Sequence, residues 1–225
     1  MAWEVEKKCA ALSDDLVHGR SLLNLGIALN AAQQQQEALF YMDNARTMFK
    51  ALGNNFNLAR SNQVISWVHM AEHRLPDALD AIEEAWKYAE LSAIRYILIS
   101  ISSDLGRTLF NVNRDSEAWK YIEISLINAS YIGDRHQVGR ALEYMGYGYL
   151  RRGDYQNAYG AYEAAAEKYL GTVEASVAEL CKDNMAKIEQ KQENPDTVIG
   201  FNRPVLDMMI DESLFIPPPH SSISQ

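Results

Sequence analysis

Alanine recurs at one fixed interval in this chain: Ala38, Ala78, Ala118 and Ala158 stand 40 residues apart, each inside a set of landmarks that recurs with it. Twelve residues before each alanine is a small residue, Gly26, Ser66, Gly106 or Gly146, and seven after it is another, Ala45, Ala85, Ser125 or Ala165. A small side chain on a helix lets a neighbouring backbone come close, so three such positions per unit describe two helices pressed into a hairpin. Large apolar residues accompany them. Leu25, Ile65, Leu105 and Met145 precede the first small residue, while Met42, Ile82, Ile122 and Tyr162 follow the alanine by four, and these form the expected core of each hairpin. Such a unit cannot bury its apolar face alone and must stack on its neighbours. The expected fold class is therefore all-α, a solenoid of stacked helical hairpins.

The hairpins are predicted as 14–31 with 34–52, 55–72 with 75–92, 94–112 with 115–132, and 134–152 with 155–170. Pro76 suits a first helical turn, and Asp115 and Asp154 are candidate N-caps. Val5 to Asp14 repeat the end of the first unit's second helix, with Val5, Cys9 and Leu12 matching Ala45, Phe49 and Leu52, so residues 1–13 read either as a partial helix covering the array or as the cut edge of a longer one. Val173, Val177, Leu180, Met185 and Ile188 make a one-sided apolar stripe, as a capping helix requires, which closes a domain of residues 14–192. Five of the six prolines then fall within 193–225, a tail expected to be largely irregular.

Composition narrows the function classes. With 48% apolar and 23% charged residues and no run long enough to cross a bilayer, the chain reads as soluble. The first residues lack the apolar stretch of a secretory signal, so a cytoplasmic or nuclear protein is expected. A net charge of −9 argues against nonspecific binding to nucleic acid or anionic lipid. Cys9 and Cys181 lie near opposite ends of the array, and no disulfide is expected between them. No phosphate-cradling loop, activated nucleophile or metalloprotease motif is present, so no enzyme activity and no cofactor are expected. His69 and His73 are four apart without an evident third ligand, and no metal site is assigned to them.

In the last unit Leu142, Met145, Gly146, Tyr149, Ala158, Tyr162 and Ala165 fall on successive positions of a known motif. The pattern resembles the tetratricopeptide repeat, whose usual period is about 34 residues. The motif's terminal proline is replaced by Lys50, Glu90, Ser130 and Leu170. About three extra residues per helix account for both departures. The resemblance is to the long-repeat subclass seen in spindle-orientation adaptors and bacterial peptide-sensing regulators, and it implies a right-handed superhelix whose first helices line a concave groove.

Carried across repeat by repeat, the resemblance assigns to that groove Arg20, Arg60, Ser100 and Arg140; Ile27, Trp67, Arg107 and Tyr147; and Asn30, Met70, Phe110 and Leu150. Leu23, Gln63, Ser103, Glu143 and Arg151 are also assigned to it. Arginines spaced along a groove can fork onto carboxylates while rings between them hold apolar side chains. The implied function is a noncatalytic adaptor that binds an acidic, apolar peptide segment of another protein. A ligand- or peptide-responsive sensor module is the alternative. The competing structural expectation is that the arginines pair with acids on neighbouring helices and the rings pack between repeats. Within the tail, Leu206, Asp207, Met209, Ile210, Asp211, Glu212, Leu214 and Phe215 form an acidic and apolar stretch that could occupy the groove of its own or another copy.

Overall fold

The computed structural model describes residues 2–170, 175–195 and 200, with the side chains of 14–170, 176–195 and 200. Its helices are α1 (Ala2–Ala31), α2 (Gln35–Ala51), α3 (Asn55–Ala71), α4 (Leu75–Ser92), α5 (Arg95–Asn111), α6 (Asp115–Ile132), α7 (Arg135–Arg151), α8 (Tyr155–Tyr169) and α9 (Ala175–Glu193). Among the described residues there is no strand.

The recurring small residues are the points at which each hairpin closes. A Cβ on Gly106 would lie 2.5 Å from Ile122 Cδ1 and 3.1 Å from the carbonyl oxygen of Ala118. One on Gly26 would meet Met42 Cγ at 2.7 Å and the Ala38 carbonyl at 3.0 Å, and one on Gly146 the Tyr162 ring at 3.0 Å. The first small residue therefore receives both the recurring alanine and the apolar residue four positions after it. Ala38, Ala78, Ala118 and Ala158 are fully buried in consequence. Helix α1 packs on α2, α3 on α4, α5 on α6 and α7 on α8, while each second helix also contacts the first helix of the following pair. Lesser contacts join α1 to α3, α3 to α5 and α5 to α7. This is a helical-repeat solenoid, with the first helices forming one row and the second helices another.

The register is strict. Second helices begin at Gln35, Leu75, Asp115 and Tyr155, and first helices at Asn55, Arg95, Arg135 and Ala175, in steps of 40. Every described turn between α1 and α8 also carries a residue of positive φ, at Gln33, Gly53, His73, Ala93, Asn113, Gly133 and Gly153, a step of 20. Side-chain caps come from Asn54, Asp134 and Asp154, which accept from the backbone N–H of Asn57, Gln137 and Asn157. Pro76 lies in the first turn of α4. Asp115 is not a cap, because Arg114 holds the N-cap position of α6 and Asp115 pairs with Arg151 at 3.3 Å.

Two other expectations change. Helix α1 runs unbroken through residue 14, so no separate partial helix precedes it. Leu25 is 42% exposed, whereas Ile65 and Leu105 are buried, because those two face a preceding hairpin and α1 has none among the described residues. At the other end α9 stands in register as the first helix of a fifth unit. It buries Ala178, Cys181, Asn184 and Ile188 against α8, with Val177 and Met185 partly covered, and turns Glu179, Lys182 and Glu189 outward. Ala186 holds the recurring small position yet is exposed, with no second helix upon it among the described residues. Val173 and the tail stretch 205–216 lie outside the described residues. Among the described residues no helix is long and apolar enough to cross a membrane.

Candidate functional site

Side chains from α3 and α7 converge across α5 on one carboxylate, that of Asp104. Its Oδ2 accepts from Gln63 Nε2 at 2.7 Å and from Trp67 Nε1 at 2.9 Å, and its Oδ1 accepts from Arg140 Nη2 at 2.6 Å. Gln63 Nε2 also lies 2.8 Å from Ser100 Oγ. The Arg140–Asp104 ion pair is sealed from water, with side chains 6% and 1% exposed. Helix periodicity explains the convergence: Gln63, Trp67, Ser100, Asp104 and Arg140 lie on the sides of first helices that meet one repeat apart.

Arg107 lies in the same row. It is 3% exposed, its guanidinium stands 5.7 Å over the Tyr144 ring, and its Nε–H has no hydrogen-bond partner. Arg140 approaches the same ring at 5.8 Å, so two cations lie close to Tyr144. Burial raises the Tyr144 phenol above its ordinary range, and those arginines oppose the shift. Further along α7, the Tyr147 hydroxyl donates to Asn111 Oδ1 at 3.3 Å, and Arg151 donates to Asn113 Oδ1 at 2.6 Å. Arg20, Arg60, Trp67 and Tyr147 are half-buried. Arg20 lies on α1, Arg60 and Trp67 on α3, the buried Arg107 on α5 and Tyr147 on α7.

Several residues expected to line an open groove are instead packed inside. Ser103 faces α6, with its Oγ 2.6 Å from Ser125 Oγ. Phe110 is fully buried edge-on to Trp119 and Tyr147, and fills the space that a Cβ on Gly148 would need. Leu23 and Ile27 belong to the core of the first two hairpins, Asn30 and Met70 are buried, and Leu150 packs against the α8–α9 cluster. Glu143 is buried and accepts from the Tyr169 hydroxyl at 3.3 Å. The reason is geometric. Positions three before and four after the small residue share its helix face, and that face closes the hairpin.

Sequence reasoning missed Asp104 and Tyr144. One signal was legible: Asp104 is the lone acidic residue in α5, inside a run of apolar and small residues. His69 and His73 do not share a helix face, because α3 ends at Ala71 and His73 adopts φ 57° in the turn. Among the described residues no group of three His, Cys, Asp or Glu side chains could hold a metal. Cys181 is a free, buried thiol whose pKa burial pushes far up.

No protein-family model matches the chain, and no curated protein matches it. Among solved structures the chain is similar to BtubC (BKLC) from P. vanneervenii, with 14% sequence identity and a TM-score of 0.49 over 89% of this chain and 97% of that one. The likeness goes no further than the helical-repeat fold.

Proposed function

We propose that this chain is a noncatalytic adaptor of the tetratricopeptide type that binds an acidic, apolar peptide segment of a partner protein along its row of first helices. The observation that carries the reading is a local excess of positive charge: α3, α5 and α7 carry Arg60, Arg95, Arg107, Arg135, Arg140 and Arg151 against Asp104 and Glu143, in a chain of net charge −9. An arginine guanidinium forks onto a peptide carboxylate, and the half-buried Trp67 and Tyr147 offer flat apolar surface for the side chains beside it.

The test uses the half-buried arginines. Arg140 is unsuitable, since removing it strands Asp104 in the interior. The full chain and its Arg20→Glu, Arg60→Glu double variant are compared for capture of an array of synthetic peptides. The wild-type chain is expected to select peptides with Asp or Glu between large apolar residues, and the double variant to bind them at least about tenfold more weakly at unchanged helicity. Equal binding by both chains, or selection of basic peptides, overturns the proposal.

A further inference from the structure

The geometry and charge of the first-helix row point to one occupant, and we infer that it is this chain's own segment 205–216, bound in cis. The inference rests on the peptide-binding reading above and names the ligand that competes for the site.

The chemistry is complementary. The segment carries Asp207, Asp211 and Glu212 with no lysine or arginine, and its acids alternate with Leu206, Met209 and Phe215. The row offers the opposite: the half-buried Arg20 and Arg60 with the rings of Trp67 and Tyr147.

The reach also fits. The ten steps from Pro195 to Val205 span up to about 33–36 Å when extended. Helix α9 packs on α8 and α8 on α7, so at about 8–10 Å for each packed pair Tyr147 on α7 lies within about 20 Å of α9. Twelve further extended residues cover about 40 Å, enough to pass α3 and approach α1. Because tether and site belong to one chain, the effective concentration reaches the millimolar range, so even a weak contact is populated. The tail then sets a threshold that an external peptide must exceed.

The experiment places p-benzoylphenylalanine at Phe215 in the full chain and maps the photo-crosslinks by mass spectrometry, alone and with Asp207→Lys, Asp211→Lys and Glu212→Lys together. The expected result is intramolecular crosslinks concentrated on α1, α3, α5 and α7, independent of protein concentration and reduced at least fivefold by the charge reversal. Crosslinks on the second helices, a concentration-dependent dimer band, or no response to charge reversal each overturn it. A synthetic peptide of residues 205–216 titrated into the charge-reversed chain separates the two readings. Peptide binding there, with no tail crosslinks in the chain of unaltered tail, sinks the inference alone, whereas no peptide binding and no crosslinks in either chain sink the peptide site as well.

Discussion

Replacing Asp104 by asparagine removes one charge and no volume, yet the structure predicts a large loss of stability. Three donors converge on this carboxylate: Gln63 Nε2 and Trp67 Nε1 on one oxygen, Arg140 Nη2 on the other. Asparagine has one acceptor oxygen. Whichever way its amide is turned, an NH2 group faces a donor, and although Gln63 can rotate its own amide, the Trp67 indole cannot. Arg140, 6% exposed at its side chain, is left as a buried cation without its counter-charge. Breaking a buried pair in this way costs about 3–5 kcal/mol, and the displaced indole donor moves the figure toward the upper end. For a chain of this size the loss lowers Tm by about 6–20 °C. Urea and thermal unfolding followed by far-ultraviolet circular dichroism measure it. Asp104→Leu with Arg140→Met removes both charges of the pair and is expected to recover part of the loss, since Gln63 Nε2 and Trp67 Nε1 are still left without their acceptor. A D104N chain within about 1 kcal/mol of wild type, or additive effects in the double variant, would refute the assignment of Asp104 as the hub.

Three further outcomes follow from particular residues. Gly106→Ala is expected to cost about 1–3 kcal/mol, because the new Cβ meets Ile122 Cδ1 at 2.5 Å, and to become neutral or favourable in an Ile122→Ala background; equilibrium unfolding of the four chains shows whether the sign inverts. Ala93 holds φ 54° at the end of α4, so Ala93→Gly is expected to raise stability by about 0.5–1 kcal/mol, and Gly133→Ala, at φ 73°, to lower it, both read from urea midpoints. His69 is held below its ordinary pKa by burial and then by Arg74, so the unfolded state binds more protons in that window. Stability is therefore expected to be full above about pH 6.5 and to fall as pH drops through the folded value. His69→Asn should flatten that slope between about pH 5 and pH 7.5, and an unchanged slope would reassign it.

The 40-residue register was legible because hairpin closure favours small side chains at Gly26, Ser66, Gly106 and Gly146, and a Cβ added to the three glycines would come within 2.5–3.0 Å of Met42, Ile122 and Tyr162. From α2 to α8 the helix starts followed from it to within one residue, whereas α1 begins at Ala2 and not at residue 14. The finer 20-residue step of the turns was hidden, since glycine marks it only at Gly53, Gly133 and Gly153 while Gln33, His73, Ala93 and Asn113 adopt the same backbone. The candidate site was half legible. Repeat position identified the row on which Arg60, Trp67 and Arg107 lie, but Ser103 and Phe110 were misassigned because the i−3 and i+4 positions from Gly106 share its buried face. Asp104 carried no repeat signal at all: its equivalents are Asn24, Val64 and Tyr144, three chemistries with no common pattern.

The most direct test of a peptide-binding row is nuclear magnetic resonance of two side-chain N–H groups in the full chain, Arg60 Nε–H and Trp67 Nε1–H, during titration with a synthetic acidic, apolar peptide. The row predicts that both signals move along one saturation curve, as the half-buried Arg60 guanidinium meets a carboxylate and the Trp67 ring an apolar side chain. Saturable binding that leaves both signals in place while perturbing residues of α2, α4, α6 and α8 would contradict it.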